Sequence, residues 1–467
     1  MKKSELLLPA GSLVKLKTAI MYGADAVYAG TPDMSLRTQS KFSLSDIEEG
    51  ISFAHAHGKK IYLTLNLYIH NEEAAKLPQF TETLRALKPD GVLIADPGVF
   101  YYLKEHAPEL NRFVSTQANI CSSQTVKFWQ SMGAKLCVLG REVTFAEMKQ
   151  IRNDCPDILL ETFVHGAMCM SYSGRCLISN FLADRSANKG KCAHCCRWHY
   201  KLHLRAKDGT IKEVEINQDN KNAFDFLIEE DFRPGEYYEV VEDEHGGYLL
   251  NSKDMCLMPR LNEILGIGMD SLKVEGRNKT EYYAGTVARA YRQAIDDYYK
   301  SPEEWDYTKY MPDLYTLQNR GYCLGFHDGK LTNISQNYEY TRTMGEWLFA
   351  GSIVAWQGDD AIFEVRNYIN GGEYIDFLIP NGLDNLRLTL NQFEDAETGE
   401  ITPRVSAGQG KKIRIKPEQW GKPIAEVKRL LPQYVIARKP ATLQGENKEM
   451  YERKLDEFNT LCNNKER

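Results

Sequence analysis

The sequence is poor in long apolar stretches and carries no excess of positive charge. None of its apolar runs reaches the roughly 18 residues that span a membrane, so we expect no membrane-spanning segment. The net charge of −6 argues against binding of nucleic acid over the whole surface, although a local basic patch is compatible with it. The opening MKKSELLLP begins like a signal peptide, but Glu5 and Pro9 interrupt the apolar region that export requires. We therefore expect a cytoplasmic protein with reduced cysteines.

Several common catalytic motifs are missing as well. No Gly-x-Gly-x-x-Gly follows the first predicted strand, which argues against a dinucleotide-binding domain. No His-Glu-x-x-His or other protease motif is present, and we find no internal repeat or low-complexity segment. The chain does have length and apolar content, since 467 residues with 43% hydrophobic side chains are enough for two or three domains.

Eight short apolar runs, most of them followed by an amphipathic stretch, occupy the first 300 residues. This alternation predicts a parallel (β/α)8 barrel of the α/β class, because strands joined by helices form parallel sheets. An open doubly wound sheet is the alternative, and the number of units favours the barrel. The predicted strands are Glu5–Leu8, Ala26–Ala29, Lys60–Leu67, Gly91–Ala95, Phe113–Thr116, Leu136–Leu139, Leu159–Val164 and Ser271–Val274.

The chain departs from the barrel pattern twice. After the seventh predicted strand a long insertion precedes the next helix, and insertions at this end of a barrel are usually functional. From residue 342 onward, short strands alternate with Gly-Asp and Asn-Gly turns, which predicts a small all-β barrel. We therefore divide the chain into a barrel at 1–300 with a cysteine-rich and β-rich insertion at 167–252, a connector at 301–341, an all-β domain at 342–440 and a polar tail at 441–467.

Polar residues stand at the carboxyl ends of the predicted strands, where barrel enzymes place their active sites. Cations there could anchor an acidic substrate through paired hydrogen bonds to a carboxylate. Carboxylates could orient those cations or act as bases, and some of these residues could simply cap helices. The candidates are Arg141, Glu161, His165, Lys273, Glu275 and Arg277.

Five of the eleven cysteines lie within one 28-residue stretch after the seventh predicted strand. Thiolates packed this closely typically bind a soft metal or perform redox chemistry. Four of them could hold a 4Fe–4S cluster or a structural zinc ion, and the spacing distinguishes these only weakly. Buried, inert thiols are the remaining interpretation. The clustered residues are Cys169, Cys176, Cys192, Cys195 and Cys196, and Cys256 follows in NSKDMC.

The same stretch is basic and contains aromatic side chains. This combination suits RNA, because cations neutralise phosphates and rings stack on unpaired bases. A solvated loop with some of these side chains packed on the barrel is the alternative. The RNA-binding candidates are Arg175, Arg185, Lys189, Lys191, Arg197 and Trp198.

The segment ETFVHGAMCMSYSGRCLIS (161–179) resembles the signature of the collagenase-like peptidases, peptidase family U32. The resemblance covers most of the chain and includes ELLLPAG (5–11), GADAVYAG (23–30) and KVEGR (273–277). EDEHG (242–246) and the predicted all-β domain are similar to one branch of that family, whose members hydroxylate tRNA. The resemblance implies prephenate-dependent conversion of the wobble uridine, in the anticodon loop, to 5-hydroxyuridine.

The resemblance also implies a 4Fe–4S cluster rather than zinc, because relatives in this family carry such clusters. Carried over position by position, Cys169, Cys176 and Cys192 match the family's cluster thiols. In some relatives the fourth cluster ligand is the cysteine that corresponds to Cys256, and in others it is the cysteine that corresponds to Cys196. Of these two we favour Cys256 as the fourth ligand in this chain. Cys195 stands where the family more often has a small residue or proline, so we do not expect it to be a ligand.

Two other functions compete with tRNA hydroxylation. A collagenase-like peptidase could use Cys169 with His165 as a thiol–base pair, although the two are only four residues apart beside other thiols. A zinc-stabilised RNA-binding module would need no catalytic residues. We expect the enzyme that hydroxylates tRNA.

Overall fold

The structure is a computed structural model, and its described residues cover most of the chain. They are residues 3–31, 42–168, 252–327, 345–408, 410–441 and 443–463, the isolated residues 179, 182 and 195, and the main chain of six short strands between 203 and 248.

Eight parallel strands close into a barrel, which confirms the predicted fold class. The eighth strand hydrogen-bonds to both the first and the seventh, with Ser271 opposite Glu5 on one side and Glu161 on the other. Gly268, at φ +85, ends the preceding helix in a left-handed conformation that a side chain would strain. The strands are β1 (Glu5–Ala10), β2 (Ala26–Gly30), β3 (Lys60–Leu65), β4 (Gly91–Ile94), β5 (Arg112–Val114), β6 (Leu136–Val138), β7 (Leu159–Ala167) and β15 (Ser271–Val274).

Helices surround this barrel, and several begin at a side chain that accepts a hydrogen bond from the first turn. Ser12, Asp96, Thr144 and Thr280 act in this way, as expected of N-cap residues. The helices are α1 (Leu13–Met21), α2 (Leu44–Ala56), α3 (Asn71–Ala74), α4 (Leu77–Leu87), α5 (Pro97–His106), α6 (Ser123–Ser131), α7 (Phe145–Asp154), α8 (Leu261–Ile267), α9 (Glu281–Lys300) and α10 (Met311–Tyr315).

The insertion and the segment after α9 add strands to the barrel. β14 (Asp254–Cys256) pairs antiparallel with the upper part of β7, and β16 (Tyr322–Cys323) pairs with β14. Three antiparallel hairpins precede β14. They are formed by β8 (His203–Arg205) with β9 (Ile211–Glu213), β10 (Leu227–Glu229) with β11 (Tyr237–Glu239), and β12 (Val241–Asp243) with β13 (Gly246–Tyr248).

An antiparallel half-barrel with its own apolar core forms the C-terminal domain. It packs on α1 and α9, where the Tyr22 hydroxyl donates to the Leu378 carbonyl at 2.6 Å. Asp313 is buried between Arg289 and Arg438 and joins the barrel side to the domain. The domain contains β17 (Trp347–Gln357), β18 (Asp360–Val365), β19 (Ile369–Asn370), β20 (Tyr374–Leu378), β21 (Asn385–Thr389), β22 (Phe393–Asp395), β23 (Ile401–Thr402), β24 (Arg404–Val405), β25 (Lys412–Ile415), α11 (Ile424–Leu430) and β26 (Ile436–Pro440).

The polar tail forms a helix, α12 (Glu446–Asn463), which returns to the barrel. Phe458 packs on Tyr322 with ring centroids 5.6 Å apart, and Glu457 pairs with Lys253 at 2.7 Å. The tail therefore covers the strands that the insertion adds. Within the part of the chain that the structure describes, no helix combines the length and apolar character needed to cross a bilayer.

Candidate functional site

A buried ion pair lies inside the barrel between β7 and β15. The Lys273 ammonium donates to Glu161 Oε1 at 2.8 Å, and the Ser271 hydroxyl donates to Oε2 of the same carboxylate at 2.8 Å. Lys273 also lies 4.5 Å from the centre of the Tyr28 ring. Glu161 is fully buried, so its two partners satisfy a charge that would otherwise be costly. Glu161 therefore holds Lys273 in place, and Ser271, which the strand pattern gave no reason to single out, holds Glu161.

Arg141 follows β6 and lies flat against the same group. Its guanidinium is 3.7 Å from the centre of the Phe163 ring, and Nη2 donates to Glu275 Oε2 at 3.0 Å. The Nε atom is buried and has no hydrogen-bond partner. A buried unpaired donor costs about 1–3 kcal/mol, and the buried Nε atoms of Arg112 and Arg292 are unpaired in the same way.

Arg277 completes a set of cations at this end of the barrel. Its Nη1 donates to Thr64 Oγ1 at 3.1 Å, and the guanidinium lies 5.9 Å from the centre of the Tyr28 ring. The Tyr28 hydroxyl donates to the Val274 carbonyl at 2.9 Å, which fixes the ring beneath both cations. Of the six residues predicted at the strand ends, the structure brings together Arg141, Glu161, Lys273, Glu275 and Arg277.

His165 does not join this group. A shift of register between β7 and β15 places Phe163 opposite Lys273 but His165 opposite Val274, so β7 carries one extra residue at this point. The His165 ring lies among three tyrosines outside the barrel wall, with centroid distances of 5.9 Å to Tyr283, 5.6 Å to Tyr291 and 5.4 Å to Tyr322. Burial lowers the pKa of His165 to about 3, so the imidazole is neutral.

Cys256 lies next to His165, opposite it on β14. Its thiol is fully buried, and burial raises its pKa to about 12 while the Tyr291 hydroxyl acts in the opposite direction. The first residue of β14, Asp254, is paired with Ala167 at the end of β7, two residues before Cys169. β14 therefore lies directly beside the point at which the chain enters the cysteine-rich stretch.

The remaining predicted ligands and RNA contacts lie outside the described residues. They are Cys169, Cys176, Cys192 and Cys196, and Arg175, Arg185, Lys189, Lys191, Arg197 and Trp198. Among the described residues, no group of three or more His, Cys, Asp or Glu side chains could hold a metal ion. The ligand set and the RNA-binding loop stay predictions.

Several polar residues at other strand ends have a structural role. Asp96 caps α5 through Gly98 and Val99, and it also accepts the main-chain N–H of Ile69. Ser115 caps the short turn that follows β5.

Comparisons with known proteins agree on one family. The model of peptidase family U32 matches residues 11–337. Among curated proteins, tRNA hydroxylation protein P of Escherichia coli is 39% identical over 429 residues, which cover 88% of this chain and 93% of that protein. tRNA hydroxylation protein P1 of Bacillus subtilis is 32% identical over 404 residues, 86% of this chain and 89% of that protein. The 23S rRNA 5-hydroxycytidine C2501 synthase of Escherichia coli is 32% identical over 292 residues, 62% of this chain and 39% of its own length.

Proposed function

The chain belongs to peptidase family U32, and from this premise we propose that it is a tRNA-modifying enzyme that hydroxylates the wobble uridine to 5-hydroxyuridine with prephenate as cosubstrate. Two relatives of similar length are named for tRNA hydroxylation, and a third is named for hydroxylation of a ribosomal cytidine. All three names describe hydroxylation of RNA, and the third specifies a pyrimidine, which supports this reaction class over peptide hydrolysis.

The observation that carries the cosubstrate proposal is the grouping of Arg141, Lys273 and Arg277 at the carboxyl ends of the strands. Prephenate is a dicarboxylate, and an arginine can bind a carboxylate through two parallel hydrogen bonds. In our proposal Arg141 and Arg277 bind the two carboxylates, and Lys273 contributes positive charge between them. Glu275 and Glu161 hold Arg141 and Lys273 in position, and Phe163 and Tyr28 exclude water from one side of each cation.

We propose that Cys169, Cys176 and Cys192 hold a 4Fe–4S cluster with Cys256 or Cys196 as the fourth ligand. The antiparallel register of β14 with β7 places Cys256 opposite His165, four residues before Cys169, so Cys256 is proposed from the family resemblance and not from this pairing. The fourth position requires a thiolate, so binding must overcome the burial that raises the pKa of Cys256. When bound, such a cluster supplies redox chemistry.

The location of His165 argues against a peptidase. A thiol–base pair needs the imidazole to face its nucleophile and the substrate, whereas His165 is enclosed by tyrosines outside the barrel wall. The basic, aromatic stretch at 175–198 is the proposed contact with the anticodon loop.

Nucleoside mass spectrometry of tRNA tests the proposal directly. A deletion strain should lack 5-hydroxyuridine, and the wild-type gene should restore it. The protein purified without oxygen should be brown and absorb near about 400 nm, because zinc is colourless and iron–sulfur clusters are not. A colourless, zinc-containing protein would contradict the cluster, and unchanged tRNA in the deletion strain would contradict the reaction.

Cysteine variants test the ligand set. Cys169→Ala, Cys176→Ala and Cys192→Ala should each lose iron and product, because a four-ligand site has no spare thiol. Cys195→Ser is the matched control and should keep both. Iron analysis of Cys196→Ser and Cys256→Ser then identifies the fourth ligand.

A further inference from the structure

Aromatic side chains form a row on the face of the C-terminal half-barrel that also packs on α9, with an arginine at each end. Phe349 of this row stacks on Tyr282 of α9 with ring centroids 5.8 Å apart. Arg366 lies 5.7 Å from the centre of the Phe349 ring at one end, and Arg387 lies 3.9 Å from the centre of the Tyr374 ring at the other. Trp347 is two residues from Phe349 on β17, and its ring lies 6.4 Å from Tyr374 at a steep angle. We call Arg366, Phe349, Trp347, Tyr374 and Arg387 the aromatic row.

The cations of this row are presented to solvent while the carboxylates that bind them are recessed. The Arg387 side chain is 59% exposed and its partner Asp376 is 4% exposed. Arg366 is 41% exposed and its partner Glu281 is 9% exposed. Glu364, a weaker partner of Arg366 at 3.4 Å, is 26% exposed. The solvent-exposed surface around Arg366 and Arg387 is therefore more positive than the equal numbers of paired cations and carboxylates suggest.

Two other ion pairs of the same domain expose both partners, although Lys411 with Asp395 (43% and 12% exposed) and Lys416 with Glu394 (43% and 21%) share the arrangement of the row. In the pair of Lys428 with Asp359, the lysine is 37% exposed and the aspartate 60%. In the pair of Lys422 with Glu426, the values are 47% and 37%. These pairs present both signs to solvent, so they offer a phosphate no comparable attraction.

The Arg366 end of the aromatic row lies close to the loop that carries Arg277. Arg366 pairs with Glu281 at 3.1 Å, and Glu281 begins α9 directly after the loop that follows β15. One end of the row therefore lies beside the helix start that follows Arg277 in the chain.

We propose that the aromatic row binds the RNA substrate outside the nucleotide that reacts, with Arg366 and Arg387 on phosphates and with Tyr374 and Trp347 against unpaired bases or riboses. Arginine and aromatic side chains in alternation suit RNA, because each phosphate takes a cation and each base offers a face to a ring. This inference rests on the proposed function, since it takes the substrate to be tRNA.

The test measures the affinity of the full chain for labelled, unmodified tRNA over a range of salt concentrations. The variant Arg366→Gln/Arg387→Gln should weaken binding about ten-fold and lower the salt slope by about 1–2, because two phosphate contacts are lost. The control Lys422→Gln/Lys428→Gln removes the same charge from the other pairs and should change the affinity less than about two-fold.

A third variant separates stacking from charge. Tyr374→Ala should weaken binding while leaving the salt slope unchanged, because a stacked base contributes no counterion release. The Tyr374→Ala variant also tests the row without changing Arg387. In the Arg387→Gln variant, the glutamine amide can still donate a hydrogen bond to the recessed Asp376. Melting temperatures of all three variants are measured beside the affinities, because loss of the cationic partner of a recessed carboxylate lowers stability, and binding is compared at a temperature at which each variant is folded.

The outcomes distinguish this inference from the function on which it rests. If the row variant and its control weaken tRNA binding equally while product formation is intact, the aromatic row is not an RNA-binding surface and the proposed function is unaffected. A second outcome combines two results: the row variant binds tRNA more weakly than the control variant, and the wild-type protein binds tRNA but makes no 5-hydroxyuridine. This outcome supports the aromatic row as an RNA-binding surface and contradicts the proposed hydroxylase activity.

Discussion

The two ends of the barrel are both rich in charge, but their charged groups have different partners. At the amino ends of the strands, three aspartates each accept a main-chain N–H of the neighbouring strand: Asp25 from Leu6 at 3.0 Å, Asp90 from Ile61 at 2.8 Å and Asp270 from Leu160 at 3.0 Å. At the carboxyl ends, Arg141, Lys273 and Arg277 contact side chains and aromatic rings instead.

The amino-terminal end also contains a cavity of about 630 Å³, lined by Lys59, Lys60, Lys135 and the three aspartates among others. Its carboxylates are already bound to the main chain and to cations such as Arg152, at 2.8 Å from Asp270. The charged groups that line this cavity therefore already have structural partners.

Removal of the buried pair at the carboxyl-terminal end should have the largest effect. Glu161→Leu/Lys273→Met should keep most of the stability, because exchange of a buried ion pair for apolar side chains is often nearly neutral. Product formation should fall about 10²–10³-fold, the usual loss for a preorganised charge. Lys273→Met alone should cost about 3–5 kcal/mol of stability, since Glu161 is left charged and unpaired. Urea unfolding and nucleoside mass spectrometry measure both effects, and an active double variant would remove Lys273 from the site.

Arg141 at the carboxyl-terminal end of the barrel and Arg152 at the amino-terminal end provide a matched pair of variants. Arg141→Ala should weaken prephenate binding about 10- to 100-fold, because one charge-assisted pair contributes about 1.5–3 kcal/mol. Arg277→Ala should act in the same direction. Arg152→Ala at the opposite end should lower the melting temperature and leave prephenate binding unchanged. Calorimetric titration with prephenate tests this, and normal binding by Arg141→Ala would mean that the cosubstrate lies elsewhere.

Asp270→Ala should lower the free energy of unfolding by about 1–3 kcal/mol, because Leu160 N–H and Arg152 both lose their acceptor. Asp270→Asn should cost less, since its amide oxygen can still accept from Leu160. The turnover of the folded fraction should be that of the wild type for both variants. A loss of turnover without a loss of stability would contradict the division of roles between the two ends.

The smallest effect should come from Glu5, whose carboxylate binds Lys60 and Tyr62 at 2.7 Å each. Burial raises the pKa of Glu5 above its usual 4.5, so the folded state holds the proton more tightly than the unfolded chain. Stability must then fall as the pH rises from 4.5 through the raised pKa. Glu5→Gln should remove this slope and change stability at pH 7 by less than about 1 kcal/mol, since its pair with the exposed Lys60 contributes little. Unfolding of both proteins at several pH values measures the difference, and an unchanged slope would contradict it.

The barrel could be predicted because its strands are short, buried and preceded by recognisable helix ends. Gly-Ala-Asp before β2 and Gly-Met-Asp before β15 mark the end of one helix and the start of the next strand. The structure adds the reason for the aspartates in these segments, which is the main-chain N–H that each one accepts. The strands β14 and β16 escaped prediction because segments of two or three residues show no periodicity.

The site could be predicted in part. Alternation along β7 would place Glu161, Phe163 and His165 on one face, and this holds for the first two. The extra residue opposite the β15 register shift breaks the alternation, and a bulge of this kind leaves no mark in the sequence. Ser271 and Phe163 also escaped notice, because a hydroxyl and a ring on a buried strand usually belong to the core.

Asp313 sets a distance within the molecule. It is bound through both oxygens by Arg289 of α9 and again by Arg438 of β26, with all three side chains buried. This buried contact holds the domain against the barrel. Under the proposed function, RNA is then selected by its reach: a molecule qualifies when its chain spans the separation between the barrel mouth and the far end of the aromatic row with the reacting base in the mouth, whatever its sequence in between.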